Sequence, residues 1–439
     1  MRWKHVFAVS ILMVLMLVVS CSNDAGKKTT GEARRIGAAD SGFYGWDSST
    51  LHVPYAQLEV VPDLGGKIMG YELRGYQVLW HDTTKEGQLY QSEGYGFGES
   101  FFNPGGAKVW PAPQGWGGSG EWPGPPDNVL DGSPYDFSME DGIITVTSPE
   151  DNGEGRSGLQ YTHRYSLRNS SSVVDLNLSM TNVVDRPVKW SLWHIATVPV
   201  DRPATVYLPI DGDNWHVMYG DKGNPQWLGV EDGLFRVRYD KRVGKIGLKL
   251  REGWAAWHDE ENDVVFSMQF PIKRGAEYPD GGSNFEIWTS GAGIYQANNQ
   301  EFQSEYSPDS AMMELEVMGP LTQLAPGMSS SLDVTWQSCR CSGVKRVTPY
   351  GVVAEEPNVV DGIVYAKFGV FYGGYLMAEF LGKDGKRKGI KNMMEVSPLN
   401  EVIVTQSTEK FLTYADGVRY YIQPLGQKEM HVLGEIMAR

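Results

Sequence analysis

Short apolar–polar alternations punctuated by glycine and proline constrain this 439-residue chain more than any other feature. In Val173-Val-Asp-Leu-Asn-Leu-Ser-Met180, apolar and polar residues alternate after the first positions, which is the period of a strand with one buried face. Tyr161–Leu167 precedes it across the polar break 168–172, a hairpin or meander pattern. Similar runs occur at Leu58–Val61, Ile143–Thr147, Ile246–Leu250, Val264–Phe270, Met312–Met318 and Ser330–Trp336. No long stretch carries helical periodicity, and 52 glycines with 24 prolines suit many turns between short strands. The expected fold is all-β: a large antiparallel β-sandwich over residues 42–342 and a small immunoglobulin-like β-sandwich domain over residues 359–439. The composition changes between them, across Cys341–Asn358.

The N-terminus is expected to direct export. Arg2 and Lys4 precede an apolar stretch, Val6–Val19, that is short for a spanning helix and suits a signal core. It ends in Val18-Val-Ser-Cys21, which resembles the lipobox of bacterial lipoproteins. That resemblance implies a signal peptide over residues 1–20, lipidation of Cys21 and a membrane partner reached through the lipid. Ser22 follows the cysteine where an aspartate would favour retention, so the implied location is the outer membrane of the cell envelope. Residues 21–41 are polar and read as a flexible tether. The formal charge of −15 argues against nucleic acid as a partner. Cys339 and Cys341, two residues apart, can neither bridge without strain nor complete a zinc shell.

One segment breaks the strand pattern. Asn103-Pro-Gly-Gly-Ala-Lys108-Val-Trp110-Pro-Ala-Pro-Gln114-Gly-Trp116, followed by Glu121-Trp122-Pro-Gly-Pro-Pro, sets three tryptophans among glycines and prolines. Proline and glycine oppose a helix, and a loose linker has no use for three indoles. The segment is expected to be an ordered loop whose aromatic faces, beside Lys108, Gln114 and Glu121, suit a carbohydrate ligand: C–H faces lie on indoles and hydroxyls bond polar groups. The competing reading is a self-packed loop that covers a sheet edge.

Several stretches in common order resemble galactose mutarotase-like (aldose 1-epimerase-like) proteins. They are Leu58–Gly75 ending in Val78-Leu-Trp80, the loop Asn103–Pro111, Thr181-Asn182 with Trp190-Ser-Leu-Trp193-His194, and Met313-Glu314-Leu-Glu316-Val-Met-Gly319-Pro320 with Asp333-Val-Thr-Trp336. The resemblance spans roughly residues 42–336 and implies a mutarotase-like supersandwich with a sugar cleft beside the tryptophan loop. It also implies a catalytic glutamate near 314–316 and a site histidine at His194. Interconverting anomers needs a base for the C1 hydroxyl proton and an acid for the ring oxygen, roles open to a carboxylate and an imidazole. Glu314 and Glu316 share one face of a strand, so either could be the base. His194, between Trp193 and Ile195, is the acid candidate or a core histidine. The loop carries Lys108 where active relatives usually show a histidine or arginine, which favours binding over turnover. Asn284 and Glu286 alternate onto one face and are further sugar-contact candidates. His81-Asp82 and His258-Asp259-Glu260 look like acidic turns, so no metal is expected, and no nucleotide-cofactor fingerprint occurs in a fitting context. Three functions stay open: a sugar epimerase, a non-catalytic glycan-binding protein of a polysaccharide-uptake system, and a glycan-cleaving enzyme on a related supersandwich.

Overall fold

A computed structural model describes residues 32–35, 42–91, 94–96, 101–115, 121–297 and 300–437. The apolar run at the N-terminus, Cys21 and Trp116 lie outside them. Within the described residues the only helical elements are four 3-10 turns of three residues each; the rest of the ordered backbone is strand. Two antiparallel sheets, of twelve and ten strands, form a sandwich. Their facing sides share one apolar core, to which Ile246, Phe285, Leu315 and Val317 come from the first sheet and Leu176, Phe266 and Trp336 from the second. The period-two reading holds on the second sheet: in strand Val174–Asn182, residues Val174, Leu176, Leu178 and Met180 are buried and the residues between them are not fully so.

On the first sheet the alternation does not separate core from water. Strand Met312–Met318 is buried at every position, and so is Val188–Pro199 apart from Lys189. Loops cover the sheet's outward face, so both faces of these strands are dry.

The C-terminal part is a pair of four-stranded sheets. Its strands begin at Arg346–Thr348 and Gly351–Val360, so residues expected to separate two domains already belong to the second. Its core is not its own. Val173, Trp254, Val265 and Cys339, on the side of the ten-stranded sheet that faces away from the first sheet, cluster with Phe368, Phe371, Val404 and Tyr420. The Ser172 hydroxyl donates to the carbonyl of Ser338 at 2.5 Å, and a Cβ on Gly369 would stand 2.4 Å from the Cys339 sulfur. Glu32–Arg35, expected within the flexible tether, pairs with strand Ser49–Val53, because an edge strand offers unpaired backbone groups to any extended segment beside it.

The shared core predicts cooperative behaviour. The full chain should unfold in one calorimetric transition, and a chain ended after Ser342 should aggregate or bind a hydrophobic dye. Each large apolar side chain it exposes forfeits roughly 1.5–3 kcal/mol. A soluble truncated chain with an unchanged melting temperature would contradict this.

His163 and His194 lie in the sandwich core, and burial pushes each imidazole down to about 3. The folded state resists the proton that the unfolded chain accepts near 6.5. Stability present above pH 6.5 is therefore lost as pH falls from there towards 3, by about 1.4 kcal/mol per pH unit per histidine. His163→Phe should flatten the acid side of a stability–pH curve measured by denaturant unfolding; an unaltered slope would contradict the buried neutral state.

Candidate functional site

Six neighbouring strands build the site: in sheet order, Ala107–Ala112, Val188–Pro199, Met312–Met318, Phe285–Thr289, Gly244–Leu250 and Ile210–Tyr219. Antiparallel register turns sequence alternation into rows across the sheet. One row on the outward face runs Lys108, Ile195, Glu316, Glu286, Gly247, His216. The next runs Thr197, Glu314, Trp288, Lys245, Tyr219. A third pairs Trp110 with Trp193. Residues in a row stand close enough to interact directly, and neighbouring rows lie within reach of a lysine or a tryptophan. Gly247 is required in its row, since a Cβ there would fall 2.2 Å from Ser283 Oγ and 2.7 Å from the His216 ring.

The buried charges at the centre of this face have partners drawn from other strands. Lys108 Nζ donates to Glu314 Oε1 at 2.7 Å and stands 4.5 Å over the Trp110 ring. Lys245 Nζ donates to Glu316 Oε2 at 2.9 Å, lies 2.8 Å from Glu286 Oε2 and stands 4.2 Å over Trp193. The contact with Glu286 closes a buried triad in which one ammonium serves two carboxyls. Trp193 Nε1 also donates to Glu316 Oε2, at 2.7 Å. Glu286 and Glu316 are completely buried. Burial pushes the carboxyl of Glu286 up to about 8 and that of Glu316 up to about 7; neighbouring carboxylates add to the rise, and Lys245 only partly opposes it. Burial alone would lower Lys245, but the two carboxylates outweigh it and hold its ammonium well above the usual lysine range.

Above these charges opens a cavity of about 400 Å³, walled by Trp110, Trp193, Trp288, Tyr219, Tyr295 and Phe101 and floored by Lys245, Glu314 and Glu316, with Lys108 behind Glu314. The tryptophan loop contributes Trp110 and Gln114 to it. Trp110 is fixed by its Nε1–H bond to Asp131 Oδ1 at 2.9 Å, and Asp131 is in turn paired with buried Lys67 at 2.7 Å. The Gln114 amide donates to the carbonyl of Gly124 at 2.6 Å.

The structure thus brings together Lys108, Trp110, Gln114, Glu314 and Glu316, with Glu286 directly behind Lys245. It does not bring in three others. His194 points the opposite way, into the core, where its ring stacks on Trp336 at 5.5 Å; its neighbour Trp193 takes the outward position, because adjacent residues of a strand cannot share a face. An acid role for His194 is therefore withdrawn. Trp122 is wholly buried beneath the loop, 5.0 Å from Trp110, with Nε1 donating to Asp127. It supports Trp110 and does not reach the cavity. Asn284 clamps the backbone of Leu250, accepting from its N–H at 2.8 Å and donating to its carbonyl at 3.1 Å. Sequence reasoning missed Lys245, Trp193 and Trp288. The signals were present: a lysine inside the apolar run 244–250, and a tryptophan two residues from Glu286 on the same face. Within the described residues no three His, Cys, Asp or Glu side chains are placed to hold a metal ion.

Comparison with solved structures finds galactose mutarotase-like proteins at low sequence identity. A provisionally assigned aldose 1-epimerase from Klebsiella pneumoniae is 15% identical, with a TM-score of 0.47 over 71% of this chain and 84% of that one. A galactose mutarotase-like protein from Lactobacillus casei is 12% identical, with a TM-score of 0.44 over 66% of this chain and 99% of that one. Another from Clostridium acetobutylicum is 11% identical, with a TM-score of 0.42 over 71% of this chain and all of that one. Comparison with curated protein sequences gives no match. The family described as a domain of unknown function, DUF4380, matches residues 119–339, half of the chain, and the chain belongs to that family.

Proposed function

We propose that this protein binds carbohydrate in the cavity over Lys108, Lys245, Glu314 and Glu316. One observation carries the reading: indole and phenol rings from five separate segments surround a floor of carboxyl and ammonium groups, in a space whose size lies in the range of small-molecule sites, about 300–1,000 Å³. Aromatic walls suit the apolar faces of a sugar ring, and the charged floor suits its hydroxyls. The order of sequence motifs that resembles mutarotase-like proteins supports the same reading.

Within it, interconversion of anomers is the reaction these groups can serve. Glu314 is the base we assign, since it lies at the cavity with one oxygen left over from its bond to Lys108. Glu316, which accepts from Trp193 and Lys245 in the same cavity floor, offers its remaining oxygen to a sugar donor beside Glu314. A binding protein without turnover is the second reading, and the tie between Glu314 and Lys108 favours it, because that bond already occupies Oε1 of the carboxylate.

Trp288 is the half-exposed wall residue and can be cut without opening the core. Trp288→Ala should weaken sugar binding about tenfold, equal to about 1.4 kcal/mol, in a tryptophan-fluorescence titration, while circular dichroism stays unchanged. Glu314→Gln should abolish anomer interconversion followed by polarimetry if the protein turns over, and leave binding within a few-fold if it only binds. A wild-type protein whose fluorescence answers to no sugar in a broad panel would end the carbohydrate reading.

We also propose display of the protein at the cell envelope through an acyl chain on Cys21, supported by the lipobox-like Val18-Val-Ser-Cys21. Cys21→Ser should move the protein from the membrane to the soluble fraction; retention on membranes after a salt wash would exclude the anchor.

A further inference from the structure

The cavity is short of positive charge. One ammonium group, that of Lys245, reaches it and is already engaged by Glu316 and Glu286 at 2.9 and 2.8 Å; Lys108, behind the cavity wall, is tied to Glu314 at 2.7 Å. Three carboxyls share two cations, and a fourth, Asp280, acts on Lys245 and Glu286 from the loop before strand Phe285–Thr289. What is left unsatisfied is acceptor capacity. Glu316 is fully buried and forms part of the cavity wall, yet after Trp193 and Lys245 have bonded its Oε2, its Oε1 has no partner. Glu286, behind the wall, shares the same Lys245 ammonium at 2.8 Å and so leaves less of its charge for Glu316. Both glutamates hold their protons more tightly than a free carboxyl: burial is the largest cause, Lys245 partly opposes it, and the neighbouring carboxylates add to it. Around this floor stand the indole faces of Trp110, Trp193 and Trp288.

Resting on the carbohydrate reading given above, we propose that the cavity selects sugars carrying a free, protonated amine over their neutral and N-acylated counterparts, and rejects uronates and sulfated sugars. An ammonium brings three donors to a site whose open valences are acceptors. It supplies the missing positive charge where the dielectric is low, so the gain is larger than in water. Indole faces also attract it. Acylation removes that charge and leaves one donor. A ligand carboxylate or sulfate gains nothing, because it must compete for lysines already bonded and approach three carboxyls of its own sign.

The test is a fluorescence titration of the full-length protein near neutral pH with matched pairs. These are glucosamine and glucose, galactosamine and galactose, chitosan and chitin oligosaccharides of equal length, and glucuronate against glucose. The amine of a pair should bind at least about tenfold more tightly than its partner, with a preference that shrinks in added salt, as a charge-assisted contact requires. Glu316→Gln should reduce the preference, read as the ratio of the two affinities within the same variant, below about threefold. The wild-type ligand series decides the matter even where that variant folds poorly. Equal binding of amine and neutral or N-acetyl partner, or glucuronate bound as tightly as glucose, would overturn the amine preference and leave the carbohydrate reading standing. No response to any of these sugars would remove both.

Discussion

Lys245 stands between Glu286 and Glu316, almost wholly buried beneath the cavity, and the arrangement of the site follows from that placement. Isolated charges cannot stay buried; the desolvation cost is met only when each has a close partner. On this sheet the partners come from cross-strand neighbours, so strand register itself satisfies the charges. A slip of one residue in any of the six strands would turn its charged side chains into the apolar core and strand the rest. Removing one member of such a buried group costs on the order of 3–5 kcal/mol, so the cluster ties the integrity of the sheet to the chemistry of the cavity.

A charged face can be dry only if something covers it. The cover is the set of loops that cross the outward side of the twelve-stranded sheet, and these are themselves fixed by buried ion pairs. Lys67 with Asp131 holds Trp110, and Arg156 with Asp127 and Asp151 underpins Trp122. Gly105 and Gly106 make the entry to the strand that carries Lys108 and Trp110. Both have positive φ, +88° and +68°, and a Cβ on either would lie 2.5 Å from a backbone oxygen, of Trp80 or of Ile68. Glycine here lets two backbone segments meet, and the cavity wall inherits their rigidity. A binding site on ordered strands and anchored loops needs little rearrangement to accept a ligand, which keeps the ordering cost of binding low.

The small C-terminal sandwich plays no part in the cavity but completes the sandwich beneath it. The ten-stranded sheet is apolar on both sides, one covered by the first sheet and the other by the C-terminal strands. The two large sheets and the C-terminal strands are therefore joined by apolar contact on both sides of the ten-stranded sheet, and the site occupies the outward face of the first.

Local chemistry decided a good deal by itself. Alternation in runs such as Val174–Asn182 specified strands, glycine and proline density specified short turns, and spacing of two placed Glu314 and Glu316 on one face. The tryptophan segment was legible as more than a linker because indoles cannot remain in water cheaply, but the expected irregular loop is in part strand Ala107–Ala112, which carries Trp110, and Trp122 is buried beneath it. Other features were not local. Whether a strand's second face meets water or another layer depends on segments far away in the chain, so the burial of Glu286 and Glu316 could not be read from their neighbours. Lys108 and Glu314 are 206 residues apart, and Lys245 and Glu316 are 71 apart; only the fold chooses such partners. In Trp193-His194 the period-two rule says that just one side chain faces outward, but which one depends on the register with strands Ala107–Ala112 and Met312–Met318. The sequence by itself determined strands, turns and the candidate carboxylates, because those rest on contacts between near neighbours. The tertiary structure alone decided which face was dry, which lysine met which glutamate and where one domain's core became the next one's, because burial and Coulomb energy depend on distance in space and not along the chain.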